Sequence, residues 1–253
     1  MNVIEIKGLE KSFKLKKGVL DVLKDISLNI KAGSFVSIVG INGSGKTTLL
    51  NLMARLSEPT SGEIIINNNG RLSFIFQNSN LAPWRNVMGN ICLPLEILGG
   101  WKKKERQQRA FEMMDLVGLS PSFNNFLPSQ LSDGMQQRAA IARALITDPN
   151  ILLMDEPFSA LDEPSRDRMD NELLEIWQKL KPTILFVSHS SREAMFLSQK
   201  IVVLSDKPTT IRDIIDVDFS YPRRPELYYD PKFIDLLKKL RNTLKEVYES
   251  NKK

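Results

Sequence analysis

Lys46 and Thr47 close the stretch Gly40-Ile41-Asn42-Gly43-Ser44-Gly45-Lys46-Thr47-Thr48, which fits G-x-x-x-x-G-K-[ST] without a mismatch. Glycines at this spacing let successive backbone N–H groups turn toward a chain of phosphates, and a helix N-terminus behind them adds partial positive charge. The lysine can reach β- and γ-phosphates, and the threonine hydroxyl can join a Mg²⁺ shell. A second group of chemical interest is Asp155-Glu156, two carboxylates behind the apolar run Ile151-Leu152-Leu153-Met154. An aspartate so placed can hold a hard cation directly or through water. A glutamate beside it can orient and deprotonate an attacking water. The two groups together predict a site for a nucleoside triphosphate with Mg²⁺.

These residues need particular elements around them. Phe35-Val36-Ser37-Ile38-Val39 reads as a buried strand entering the glycine loop, and Thr47 to Leu56 carries apolar residues at helical spacing. The first section is strand-rich: Val3-Ile4-Glu5-Ile6 alternates, Ile26 to Ile30 follows, and Glu63 to Ile66 leads into the turn-forming Asn67-Asn68-Asn69-Gly70, then Leu72 to Phe76. From Gln77 to about Asp148 the pattern turns to helix and loop. Strands return at Asn150 to Asp155, Thr183 to Ser188 and Ile201 to Leu204, with an amphipathic helix predicted over Glu163 to Leu180. Alternating strands and helices imply an α/β core with a parallel sheet, so the helical middle is an insertion. The expected division is 1–76 and 149–220 as the two parts of a nucleotide-binding core, 77–148 as a helical subdomain, and 221–253 as a tail. That tail opens with a proline-rich, basic linker, Tyr221 to Pro225. It ends in a helix capped by Asp230 with Pro231 first, and Phe233, Ile234, Leu237, Leu240, Leu244 and Val247 lie along one side.

Bulk composition narrows the class. The chain has 253 residues, 42% apolar and 26% charged, with a net charge of +5, which suits a soluble α/β domain. It has no apolar run long enough for a bilayer span and no apolar core of a secretory signal. The single cysteine, Cys92, leaves no intramolecular disulfide and no cysteine-rich zinc site. A cytoplasmic location is expected. Basic residues are scattered apart from Lys102-Lys103-Lys104 with Arg106 and Arg109, and no aromatic-basic interleaving suggests base stacking, so no nucleic-acid partner is expected.

A further motif narrows the class. Leu131-Ser132-Asp133-Gly134-Met135-Gln136-Gln137-Arg138 resembles the signature of ABC ATPases, usually LSGGQ or LSGGM followed by QQR. The family's other elements fall in order. Gln77 after Leu72–Phe76 is similar to its Q-loop, and Ser159-Ala160-Leu161-Asp162 to its D-loop. His189, the one histidine, follows Thr183–Ser188 as the switch histidine does, and Phe13 stands where an aromatic ring stacks on adenine. The resemblance runs to about residue 220. It implies a P-loop NTPase core with an N-terminal antiparallel β part and an inserted helical subdomain, with ATP and Mg²⁺ as cofactors and ATPase activity. It implies catalytic roles for Glu156, His189 and Gln77, and metal contacts from Thr47, Gln77 and Asp155. Nucleotide contacts are implied for Phe13, Gly40, Ile41, Asn42, Gly43, Ser44, Gly45, Lys46, Thr47, Thr48, Ser132, Gly134 and Asp162. Ser132 and Gly134, at the start of a helix read as Gln136–Ile146, make a second helix-terminus anion site. In the family that site faces the nucleotide of a second copy, giving a two-fold dimer with isologous geometry. Three residues depart from the pattern. Asp133 replaces a signature glycine, either facing away or weakening closure. Phe13 replaces the commoner tyrosine, and Ser190 stands where aspartate often follows the histidine.

Leu81-Ala82-Pro83-Trp84-Arg85-Asn86-Val87 is similar to the Leu-x-Pro-Trp-x-x-Val stretch of nitrate/sulfonate/taurine importer ATPases. Phe126 to Ser132, Met154 to Asp162 and Pro222-Arg223-Arg224-Pro225 resemble the same subfamily. This implies a motor subunit on the cytoplasmic face of a membrane. Its partners would be a second copy and transmembrane permease subunits, and indirectly an extracytoplasmic substrate-binding protein. The alternative reading is the motor of an exporter or lipoprotein-releasing complex.

Overall fold

The computed structural model describes residues 1–67 and 71–250. In chain order the elements are β1 (Asn2–Lys14), β2 (Val19–Lys31), β3 (Phe35–Val39), α1 (Lys46–Met53), β4 (Ser61–Ile66), β5 (Leu72–Ile75), α2 (Val87–Leu98) and α3 (Lys103–Leu116). Then come α4 (Asp133–Leu145), β6 (Ile151–Asp155), α5 (Glu163–Leu180), β7 (Thr183–Val187), α6 (Ser191–Leu197), β8 (Lys200–Leu204), β9 (Ile211–Asp216) and α7 (Pro231–Ser250). The turn expected over Asn67 to Gly70 falls on residues 68–70, outside the described residues. The chain divides into two compact units, Met1–Gly70 with Pro182–Lys253, and Arg71–Lys181.

In the first unit β1 pairs antiparallel with both β2 and β4. The other sheet of this unit has β3 parallel to β7 and to β8, and β8 antiparallel to β9. Every residue of β3 and β7 is buried, Ser37 and Thr183 included, as near-continuous apolar runs require for central parallel strands covered on both faces. Fully burying each such Ile, Leu, Val or Phe stabilises by roughly 1.5–3 kcal/mol. The edge strand β9 and the short helix α6 have no expectation in the sequence reading. β9 alternates half-exposed and exposed residues around the buried Ile215, and six residues give too little pattern to separate a strand from a loop.

The tail is packed, not a solvated linker. Arg223 is only 5% exposed. Its guanidinium donates to the carbonyls of Met195 (3.1 Å), Phe196 (2.9 Å), Ser198 (2.8 Å), Val217 (3.2 Å) and Phe219 (3.1 Å). Three of these carbonyls sit at the C-terminal end of α6, where helix geometry leaves acceptors unpaired and the macrodipole favours a cation. The Tyr221 hydroxyl donates to the Leu197 carbonyl at 2.9 Å, and burial pushes its pKa up to about 12. Asp230 caps α7 as expected, with Oδ1 accepting from the N–H of Lys232 (2.7 Å) and Phe233 (3.3 Å). Phe233, Leu240 and Val247, seven residues apart, are the buried face. Phe233 and Leu240 pack with Val39, Met195, Ile201, Val203 and Ile215, whereas Ile234 is left 38% exposed.

In the second unit β5 and β6 run parallel. α4 packs against α2, α3 and β5, so the helix that follows the signature segment is the spine of this unit. α4 begins at Asp133, three residues earlier than the pattern of Gln136–Ile146 suggests, because Ser132 is a good N-cap and Asp133 a favourable first-turn acid.

Candidate functional site

In the first unit the chain leaves β3, whose buried apolar residues fix its direction, and turns through Gly40–Gly45 into α1. Gly43 and Gly45 both have φ of 81°, a region that strongly favours glycine. A Cβ at Gly45 would lie 2.9 Å from Val22 Cγ1, and one at Gly40 would lie 2.6 Å from Ser44 Oγ. The loop therefore hugs β2 and itself: close approach requires glycine at positions 40 and 45, and the backbone angle favours it at 43. The Ser44 N–H donates to the Ile41 carbonyl at 3.2 Å, which closes the turn. Lys46 Nζ donates to the carbonyls of Gly40 (3.0 Å) and Ile41 (3.1 Å), so the ammonium arches back over the loop. Asn42, Gly43 and Thr47 are exposed along it. Ser44 Oγ is buried without a hydrogen-bond partner among the described residues. An orphaned hydroxyl beside a glycine-lined turn, with a lysine above and a helix N-terminus behind, fits a polyphosphate.

Phe13, near the end of β1, pairs with Leu20 of β2 and is exposed, with Lys11 Nζ 4.9 Å from its ring centroid. Its open ring face can take an aromatic base by stacking. His189 follows β7 and is exposed. The residues on either side of it are pinned. Ser188 Oγ donates to Glu193 and accepts from the Ser190 N–H at 2.8 Å, and Ser190 Oγ caps α6 by accepting from the Glu193 N–H at 3.3 Å. That cap explains Ser190: serine and aspartate serve an N-cap about equally well.

In the second unit β6 ends in Asp155, which is buried, followed by Glu156 at φ 46°. A non-glycine residue held in the left-handed region is strained, and strain of this kind gathers at functional positions. The strain is held by Ser159, whose N–H (3.2 Å) and hydroxyl (2.9 Å) both donate to the Glu156 carbonyl. Gln77, exposed just after β5, donates its side-chain amide to Ser159 Oγ at 3.3 Å. Asp162 caps α5, accepting from the Ser165 N–H at 2.7 Å, and that bond holds its carboxyl below the usual range. Gln77, Asp133, Gln137, Pro157 and Ala160 line one cleft of about 280 Å³, so this unit brings its Q-loop, signature and D-loop segments together. Ser132 Oγ accepts from the Met135 N–H at 3.3 Å. A Cβ at Gly134 would meet only Leu161 Cδ2, at 4.0 Å. Nothing among the described residues demands glycine there.

Three positioning residues escape the sequence reading. Gln136 accepts from Ser79 Oγ at 3.0 Å, and Arg143 donates to the carbonyls of Ser79 and Asn80, both at 2.8 Å, so α4 holds the segment after Gln77. Asn90, with no exposed surface, ties the next turn. It accepts from the Ala82 N–H (2.7 Å) and donates to the carbonyls of Ala82 (3.1 Å), Arg85 (2.9 Å) and Asn86 (3.1 Å). The braced turn leaves Trp84 80% exposed. The available signal was one amide inside the apolar run Val87–Leu98.

Oxygen donors of the kind that hold Mg²⁺ are present in Thr47, Gln77 and Asp155. Among the described residues no cluster of three or more His, Cys, Asp or Glu forms a self-contained metal centre. Nor is any helix long and apolar enough to cross a membrane.

Comparison with known proteins gives a consistent picture. Residues 23–159 match the family model described as ABC transporter. The chain is 41% identical over 250 residues to an uncharacterized ABC transporter ATP-binding protein of Methanocaldococcus jannaschii, covering 96% of this chain and 91% of that protein. It is 43% identical over 215 residues to a nitrate import ATP-binding protein of Synechocystis sp., covering 83% and 80%. It is 39% identical over 226 residues to an aliphatic sulfonates import ATP-binding protein of Bacillus thuringiensis, covering 87% and 88%. Among solved structures, the dimeric post-hydrolysis state of an ATP-binding cassette bound to ADP and Pi is 32% identical. It superposes with a TM-score of 0.77 over 86% of this chain and 100% of that one.

Proposed function

The chain belongs to the ABC transporter family, as an ATPase with the P-loop fold of ABC cassettes, and we propose that it is the motor subunit of an importer for a small solute of the nitrate or sulfonate kind. The observation that carries the import reading is the match over most of both chains to nitrate and sulfonate import ATP-binding proteins. The division into a two-part core (1–76 and 149–220), a helical subdomain (77–148) and a tail (221–253) belongs to the same proposal.

The roles follow from the chemistry of each residue. Phe13 stacks on the base, and the loop amides of Ile41–Thr48 with Lys46 and Ser44 Oγ hold the phosphates. Thr47, Gln77 and Asp155 carry the oxygen donors that would hold Mg²⁺, and the ion would supply charge neutralisation on the phosphate oxygens. Glu156 accepts the proton of the attacking water, held in position by the Ser159 bonds to its carbonyl. His189 donates a hydrogen bond where charge spreads onto the departing phosphoryl group. Gly134 and Ser132 face the nucleotide of a second copy, which accounts for a glycine that nothing among the described residues requires. The exposed Trp84, on its Asn90-braced turn, seats a cytoplasmic helix of the permease. A shift at Gln77 then reaches that helix through the six residues that separate it from Trp84.

The test is assembly and uptake. Co-expression with its permease and solute receptor should give a detergent-stable complex whose ATP hydrolysis rises when the loaded receptor is added. A complex whose turnover ignores the receptor, or that moves solute outward, would overturn the import reading.

A further inference from the structure

The connection between α2 and α3 makes a surface that the motor reading leaves unused. Residues 97–105 are exposed without a break, and they include Ile97 (77%), Leu98 (68%) and Trp101 (43%). Three large apolar side chains in one exposed loop are unusual on a soluble surface. Gly99 (φ 73°) and Gly100 (φ 79°) stop α2 and throw the chain outward, with nothing within 4 Å of where their side chains would be. Lys102, Lys103 and Lys104 follow at once and form no ion pair among the described residues.

The acids around the loop are already committed. Glu105 folds back to accept from the Lys102 N–H at 2.8 Å. Glu96 pairs with Arg85 (2.7 Å) and Arg106 (4.0 Å), and Glu112 pairs with Arg109 (3.0 Å). Arg109 also meets Asp148. Glu105 keeps its negative charge beside them, so the three lysines leave this exposed stretch net positive. Beside them Trp101, Lys102, Lys104, Glu105, Gln108, Arg109 and Glu112 line an open groove of about 520 Å³, its two carboxylates held by the Lys102 N–H and by Arg109.

We propose that this loop is a contact for an anionic bilayer surface, with Trp101, Leu98 and Ile97 entering the headgroup region and Lys102–Lys104 meeting lipid phosphates. A tryptophan is at home at that depth, with its ring apolar and its N–H wet. Lysines keep their ammonium groups in water while their stems lie on apolar material. A protein partner would be expected to offer the apolar loop a pocket and the three free ammonium groups matching carboxylates, whereas an anionic leaflet supplies both at any orientation about the membrane normal. α2 has 12 residues and is about 18 Å long at the helical rise. The lipid contact at its C-terminus is thus separate from the permease contact proposed at Trp84.

The experiment is co-sedimentation of the full chain with sucrose-loaded vesicles, either phosphatidylcholine alone or with a third phosphatidylglycerol, at low salt and again at 0.5 M NaCl. Binding should appear only with the anionic vesicles and fade with salt. The triple variant K102E/K103E/K104E should lower the partition coefficient at least 100-fold, at about fivefold for each lysine removed. L98S/W101S should lower it about tenfold or more at unchanged charge. The ATPase of both variants should match wild type, which shows that they fold. Failure of the wild-type chain to bind anionic vesicles would overturn the proposal, and so would equal binding by the triple variant. If permease co-purification fails in these variants while the wild type ignores vesicles, the loop is a protein contact and the lipid assignment is wrong. Receptor-stimulated turnover is measured separately, so the importer reading stands or falls on its own.

Discussion

The Gln77 side-chain amide donates to Ser159 Oγ, and that same hydroxyl donates to the carbonyl of Glu156. One serine thus joins the residue that follows β5 to the strained residue that follows β6. A displacement of Gln77 is felt at the backbone of Glu156 without passing through the nucleotide. Replacing Ser159 with alanine should lower kcat about two- to tenfold, the worth of one ordinary hydrogen bond, with KM for ATP little changed. Steady-state ATPase over an ATP series checks this. A raised KM at normal kcat would mean that the serine serves binding rather than positioning.

Asp133 sits in the first turn of α4, where a carboxylate is favourable to the helix. Asp133→Gly should lower Tm by a degree or two, in line with a loss of about 0.3–1 kcal/mol. If its carboxylate faces the γ-phosphate of a second copy, the substitution should also strengthen ATP-driven association. Thermal melts and sizing at several ATP concentrations separate the two effects. Association equal to wild type would show that Asp133 faces away from the nucleotide.

Asn90→Leu removes four hydrogen bonds that shape residues 82–86. The isolated subunit should keep ATP affinity within about twofold, while permease co-purification falls as far as it does in Trp84→Ala. Titration calorimetry and pull-down check the pair. Full assembly by Asn90→Leu with lost nucleotide binding would contradict the role given to this turn.

Arg223→Met strips five carbonyls of their donor in a buried place. A loss of about 3 kcal/mol is expected from leaving several such acceptors unpaired. Hydrogen exchange of α7 amides should rise with it, and ATP affinity should stay within a few-fold. Unchanged exchange in α7 would mean that the helix is held by its apolar face alone.

How much of this was legible in the chain depends on range. The glycine loop, the Asp155-Glu156 pair and the bounds of α5 read directly, because each rests on local spacing and local capping. Phe233 and Leu240 likewise announced the docked tail helix. Arg223 did not, since proline-flanked arginines look solvated until the carbonyls at the end of α6 are known. Asn90 and Arg143 were silent for the same reason: their partners lie in loops whose path is fixed only by folding. β9 was missed because an edge strand of six residues with one buried position carries almost no period. The placement of Gln77 beside Ser159 needed the pairing of β5 with β6, which no local pattern specifies.

As a motor, the chain is proposed to close around ATP as a two-fold pair, with Glu156 as the group that ends the closed state. Light scattering on Glu156→Gln, with and without saturating Mg·ATP, tests it most directly. The amide cannot take a proton from water, yet it leaves the phosphate and metal contacts in place. A monomer of about 29 kDa is expected without nucleotide, in line with the 28.8 kDa chain, and twice that mass with ATP, reverting on addition of excess ADP. A protein that binds Mg·ATP and stays at the monomer mass, or that still hydrolyses at the wild-type rate, would contradict it.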